Sequence, residues 1–449
     1  MVRHGRVRWA LALSFSFLFL VAPAIWNGFP LLQYDTGGYL ARWYEGTLVI
    51  SRAVVYGLIL NAGAWANFWP VVALQSGLTI WIIALVLRVH RLNQPPVLAG
   101  IIATLALLTT LPWLTAILLT DIFCGVGVLA LYLIVVRGGA LHRWERIALV
   151  LLVAIAAATH SATLAVLVAL LAAAAIAFLI DRTRVPAVGL GRGLVALVLG
   201  AAMVFAANYL IVRQLTWTPG GFALSFGRML QDGIVKKYLD EHCPNASLQL
   251  CAYKNELPQD ADEWFWGSPL FDKLGRFRGL NDEMKKIAID SLLDYPALEA
   301  ETALRAMLRQ IVDMHSGEGV VNWIWHTYGI MKDYTPWALP QMRAARQQRD
   351  GISFAVINLI DWPVGLVSMV LLPVIVVVGW RRKGMTDVGD LALTIAGAIL
   401  ANAIVCGAFA NPHDRYGARV VWLATLVALI ALAAPRRPTG GTAQQLPSA

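Results

Sequence analysis

Residues 162–180 read ATLAVLVALLAAAAIAFLI, a run without a single charge. About 20 apolar residues cross the hydrocarbon core of a bilayer as a helix. Just before it lies a shorter apolar run, 147–159, and the two read as a tight hairpin turning near His160. Segments of the same kind occur at 9–26, 68–87, 96–114, 121–136, 193–212, 362–380, 388–408 and 417–434. The expected fold is therefore an all-α polytopic membrane protein of about ten transmembrane helices. Composition agrees: the 449 residues are 58% hydrophobic and 14% charged, with a mean hydropathy of +0.64. A soluble domain carries about 25% charged residues. The first apolar run resembles a secretory signal, but it is long and has no clear small-residue cleavage site, so it reads as a span.

The net charge of +9 does not point to nucleic acid, because the basic residues sit in short links between apolar segments and leave no basic, aromatic-interleaved patch. With a cytoplasmic N-terminus, the inner links hold Arg3, Arg6, Arg8, Arg88, Arg91, Arg137, Arg143, Arg146, Arg182, Arg184, Arg192, Arg381, Arg382, Lys383, Arg436 and Arg437. The short outer loops hold chiefly Arg42, Arg52 and Arg415. By the positive-inside rule, both termini are cytoplasmic. The expected location is a plasma membrane, the bacterial inner membrane in particular.

This topology divides the chain into an N-terminal membrane module, 1–213, with a first outer loop at 27–67, and an insert at 214–361. A C-terminal membrane module follows at 362–434, then a disordered cytoplasmic tail at 435–449. The insert reads as a mostly helical extracytoplasmic domain, and 18 of the 27 acidic residues fall in 214–352. Asn281-Asp282-Glu283 reads as a helix start, with Met284, Ile287, Leu292 and Leu293 as its apolar face. Tyr295-Pro296 ends it, and a second run carries Leu298, Leu304, Leu308, Ile311 and Val312 at helical spacing. Trp264, Trp266, Trp323, Trp325 and Trp337 fit either a membrane-interface belt or the insert's own core. Cys243 and Cys251, eight positions apart, read as an extracytoplasmic disulfide, since zinc would need two more ligands and only His242 is near. Cys124 and Cys406 read as buried small hydrophobes.

Beyond the acids of 214–352, Asp35, Asp121, Asp361 and Asp414 stand at the outer membrane boundary. Ionisable groups at such a depth are costly and tend to mark function. Asp35, in Gln33-Tyr34-Asp35-Thr36-Gly37-Gly38-Tyr39, also fits a helix cap, and so does Asp121. Asp361 reads as a cap for the eighth span. His160 and His413 fit structural roles as readily as functional ones, and Arg52 and Arg415 fit snorkelling to headgroups.

The layout resembles the GT-C superfamily of integral-membrane glycosyltransferases, near the protein mannosyltransferase and aminoarabinose transferase group. The shared features are an acidic residue with a following aromatic in the first outer loop (Asp35, Tyr39) and a Ser51-Arg52-Ala53-Val54-Val55-Tyr56 element. The family's version of that element has prolines that this chain lacks. An acidic residue opens the fourth span (Asp121), a basic residue follows the fifth (His160), and an Arg-Tyr starts a late span (Arg415-Tyr416). The likeness covers about residues 1–180 and 405–435. It implies transfer of a sugar from a polyprenyl-phosphate donor to an envelope lipid, polysaccharide or protein acceptor, by inverting displacement. Asp35 would remove the acceptor's proton, and Arg52, Arg415, His160 and His413 would hold the donor phosphate. Tyr34, Tyr39, Tyr56 and Tyr416 would line the pocket. Asp121 would orient the acceptor or, with Asp35, bind a divalent cation such as Mg or Mn. The competing readings are a lipid or small-molecule transporter and a non-catalytic membrane subunit of a polysaccharide assembly. Transporters favour charged midplane sites and repeated halves with broken helices, and neither is evident in the sequence.

Overall fold

A computed structural model describes residues 2–218, 221–349, 351–382 and 384–434. Lys383, Arg436, Arg437 and the tail 435–449 lie outside the described residues. Those residues form helices joined by short links, with no strand and only two isolated bridges. Among the described residues, seven helices are long and apolar enough to cross a membrane: Gly5–Asn27, Trp69–Val89, Ser161–Ile180, Ala187–Val212, Ala355–Arg381, Thr386–Ala408 and Asp414–Ala433. The segments 96–114, 121–136 and 147–159 correspond to shorter helices, Pro95–Leu108 with Leu111–Ala116, Asp121–Val136, and Arg143–Thr159. The first of these breaks at Thr109-Thr110, because Pro112 has no N–H to donate back to Leu108 and its ring crowds that carbonyl, so it fits only the first turn of a new helix. Asp121–Val136 is buried along nearly its whole length. It is the central post against which Arg143–Thr159, Ala187–Val212, Trp69–Val89 and Asp414–Ala433 pack.

The first loop is itself helical, with Thr36–Glu45 and Val54–Ala64. It is strapped to the segment leading into the central post by backbone bonds from Leu31 N to Ala116 O (3.0 Å) and from Leu118 N to Leu31 O (2.9 Å). Gly37 lets the insert come down on it: a Cβ there would lie 2.8 Å from the backbone of Thr327, in the helix Trp325–Tyr334.

The insert's apolar side chains fall in two cores. Ala223 through Ala288 form a core of their own around Phe226, Trp264, Phe271 and Met284. Val320, Ile324, Met331 and Met342 belong instead to the core of the membrane helices. The disulfide Cys243–Cys251 closes the eight-residue turn in the first of these regions.

Four local expectations are corrected. Asn281-Asp282-Glu283 lies inside a helix that begins at Arg276, because Gly275 takes a left-handed conformation that breaks the chain six residues earlier. Met284 and Ile287 are buried in that helix, but Leu292 and Leu293 point outward. Asp361 caps nothing: its helix starts at Ala355, and its carboxylate accepts the Ser316 hydroxyl at 2.7 Å. The tryptophans divide, Trp264 being core while Trp266, Trp323, Trp325 and Trp337 are exposed.

Candidate functional site

Asp35 precedes the first turn of Thr36–Glu45, yet its side chain makes no capping bond to that helix. Its backbone is held instead, with the N–H donated to Gln33 Oε1 at 2.7 Å. Thr36 Oγ1 accepts the Gln33 N–H and donates to Leu118 O, both at 3.0 Å. This leaves the carboxylate free to face two guanidinium groups. Arg52, from the same loop, pairs with Oδ1. Arg415, 380 positions away at the start of the last span, donates from Nη1 to Oδ2 at 2.6 Å. All three side chains are largely buried.

Such a carboxylate feels opposing forces. Burial pushes its proton affinity up, but Arg52 and then Arg415 outweigh it, and the Asp35 carboxyl is held down at about 2. His160 reaches the same region from the turn between Arg143–Thr159 and Ser161–Ile180, with Nδ1 buried and without a hydrogen-bond partner among the described residues. Burial and then the nearby Arg419, Arg415 and Arg52 hold its proton affinity well below the usual histidine range, so it stands there as a neutral imidazole.

Aromatic faces surround the arginines. The Arg52 guanidinium lies 5.6 Å from the Tyr39 ring centre and 5.9 Å from that of Trp266. Arg415 lies 4.8 Å from the Tyr416 ring and donates to its hydroxyl at 3.0 Å. Tyr39 is fully buried, its hydroxyl donating to Ser51 O at 3.3 Å and its ring meeting Tyr56 edge-on. The Tyr56 hydroxyl is used by Gln75 at 3.1 Å, which makes Tyr56 a support for Tyr39 rather than a free pocket group. Tyr34 points away, exposed.

Asp121 lies at the head of the central post rather than capping it, 3.7 Å from Arg419. Arg419 is wholly buried, and its Nε and Nη2 donate to Asn402 Oδ1 at 3.0 and 2.7 Å. Asp121 is a residue that the sequence marks, and Arg419 is its unmarked partner. An arginine one turn beyond Arg415, inside an apolar helix, was the available signal.

Glu318, also not singled out, organises the last loop. It accepts the Arg415 backbone N–H at 2.8 Å and bonds His413 Nδ1 at 2.6 Å. Burial alone would make the His413 imidazole less basic, but Glu318 reverses this and raises its proton affinity. Next to it, Asp414 accepts the backbone N–H of His315 at 2.8 Å and meets its ring at 2.7 Å.

Two recesses flank the Asp35 group. One, of about 430 Å³ and partly open to solvent, is lined by Asp121, Glu318, Arg415, His315, Trp113 and Phe354. The other, of about 380 Å³, has Arg52 and Ser51 facing Ala158, Val204, Asn208 and Trp217. Among the described residues, no group of three or more His, Cys, Asp or Glu side chains has metal-binding proximity. Both Asp35 oxygens face guanidinium groups, so a divalent cation there would first have to displace an arginine. The residues as arranged do not fit a metal.

The arrangement is a buried cationic clamp with one carboxylate inside it, open to recesses on two sides. It suits an anion whose charge grows during a reaction. No family model matches the chain, and neither a curated protein nor a solved structure matches it.

Proposed function

We propose that the protein is a membrane glycosyltransferase of GT-C type, with about ten spans and both termini cytoplasmic. In this reading it moves a sugar from a polyprenyl-phosphate donor to an envelope lipid, polysaccharide or protein acceptor on the face that carries the insert. The observation that carries the proposal is Asp35 held between Arg52 and Arg415, from opposite ends of the chain.

The chemistry follows from the charges. The donor's phosphate takes the guanidinium hydrogen bonds that Asp35 holds at rest, in the bidentate geometry arginine favours. With the cations drawn toward phosphate, Asp35 recovers the proton affinity that the clamp suppresses. It then accepts the acceptor's hydroxyl proton as that oxygen bonds to the anomeric carbon. The bond from that carbon to the phosphate oxygen breaks, and the electron pair leaves on polyprenyl phosphate. Arg52 and Arg415 stabilise this charge in a buried site where such stabilisation is largest. Tyr39 and Tyr416 fix the guanidinium planes, and Asp121 orients the acceptor from the recess it shares with Glu318 and Arg415.

Proteoliposomes loaded with a polyprenyl-phosphate-linked sugar and an envelope extract test the reading. Sugar attached to acceptor and free polyprenyl phosphate should appear in equal amounts. Donor crossing the bilayer with its sugar still attached would identify a transporter instead.

A further inference from the structure

The helix Pro296–Val312 has its polarity the wrong way round for a domain surrounded by water. Its buried stripe is Glu299, Thr302, Ala306 and Gln310, spaced three or four apart on one face. The opposite face carries Leu304 and Leu308, each 54% exposed, with Val312 beyond them and Leu293 of the preceding helix 75% exposed. A surface helix in water puts its apolar stripe toward the core. Here the polar stripe is the one with partners. Glu299 pairs with the buried Arg228. Gln310 brackets the backbone of His413, donating to its carbonyl at 2.9 Å and accepting its N–H at 3.0 Å.

That stripe lies across the ends of the membrane helices. It packs on the turn Ile404–Ala408 that closes the span Thr386–Ala408. Gly407 permits the contact, since a Cβ there would lie 2.7 Å from Ala306 O and 3.0 Å from Met307 Cα. At the other end, Trp362 Nε1 donates to Val312 O at 2.9 Å. Trp362 belongs to the span Ala355–Arg381, whose Val356, Leu359 and Ile360 are exposed in the same region. The leucine stripe thus continues the apolar belt of the spans. Arg305 and Arg309, both well exposed and paired along the helix with Glu301 at 2.8 Å and Asp313 at 3.0 Å, flank it.

We propose that Pro296–Val312 is an interfacial helix lying in the membrane surface, with Leu304, Leu308 and Val312 immersed in lipid. Arg305 and Arg309 reach the headgroup phosphates from its flank. Through Gln310 the helix sets the depth of loop 411–416, and so of Arg415, relative to the bilayer. Lipid is the occupant because the stripe is continuous with the span belt and rimmed by exposed ion pairs whose arginines can turn to headgroup phosphates. The inference stands whether or not sugar transfer is the reaction.

Single variants Leu304→Cys and Leu308→Cys, labelled with bimane in the full-length protein, test it in vesicles of dibrominated phosphatidylcholine. Native thiols do not compete, since Cys124 and Cys406 are buried and Cys243 is bonded to Cys251. Lys236→Cys, at a solvated ion pair with Asp240, is the aqueous reference. Brominated lipid should quench both leucine sites several-fold more strongly than iodide does, with the order reversed at Lys236. Iodide quenching equal to that at Lys236 would overturn the proposal. Quenching by neither agent would also overturn it, because a second protein copy would then cover the stripe.

Discussion

Charged side chains meet at both ends of the span bundle, but in different arrangements. On the face away from the insert, Arg88 holds Glu145 through two bonds, at 2.7 and 2.5 Å. There too, Arg137 lies between two carboxylates, Asp387 at 2.8 Å and Asp390 at 3.0 Å. Each cation is matched or exceeded by anions, and the pairs join the ends of neighbouring helices. On the insert face Asp35 stands alone between two cations, supplied by segments 380 positions apart. Both ends could be called salt bridges. With Asp121 and Glu318 counted, the insert-face group is balanced as well, and what sets it apart is that one buried carboxylate holds two guanidinium groups, which an incoming anion would draw off. That arrangement separates a fastening from a site.

Breaking the clamp should cost the most. Asp35→Asn keeps the shape but removes the base, and transfer should fall by about 10²–10⁴-fold while the protein still accumulates in the membrane. Wild-type transfer rates would remove Asp35 from the mechanism. Arg415→Ala should lower turnover by roughly 10²–10³-fold, as loss of a charge-stabilising donor does. Arg52→Lys should retain more activity than Arg415→Ala, because a point charge survives though the planar fork is lost. Equal losses in the two variants would show that geometry, not charge, is what the clamp supplies.

The pH dependence sharpens the contrast. Asp35 is held below its unfolded value, so its contribution to stability is fully present above about pH 4 and is lost as the pH falls through about 2. Unfolding in detergent should show that acid loss in the wild type and lack it in Asp35→Asn. His413 behaves oppositely. Its proton affinity is raised, so its contribution is present below about pH 6.5 and fades as the pH climbs through the raised value. Proteolysis of loop 411–416 should therefore quicken on the alkaline side, and Glu318→Gln should abolish that trend. The smallest effect on activity belongs to the opposite face. Arg88→Ala should cost about 1–3 kcal/mol of stability by stranding the buried Glu145, with transfer per folded molecule unchanged.

The fold was legible because apolar runs of bilayer length are a one-dimensional signal. Each of the ten segments corresponds to helix, with the break at Thr109-Thr110 readable from Pro112 in hindsight. The site was legible only in part. Asp35, Asp121 and Arg415 are conspicuous as charges beside apolar runs, and no spacing rule gives the 380-residue pairing of Asp35 with Arg415. Glu318, Gln310 and Arg419 were missed for different reasons. The first two look like ordinary polar residues of a soluble insert, where acids are common. Arg419 was masked by its nearness to Arg415. The insert is least legible in Pro296–Val312, where apolar residues recur at helical spacing yet Leu304, Leu308 and Val312 are exposed and the polar stripe is buried.

The central claim is that this cationic clamp serves sugar transfer, and a genetic comparison tests it most directly. Lipid and glycan extracts from cells lacking the gene, analysed by mass spectrometry, should lack one hexose, pentose or amino-sugar increment from an envelope component. A wild-type copy should restore it, and the Asp35→Asn copy should not. Unchanged masses in the deletion strain, or full restoration by Asp35→Asn, would contradict the account.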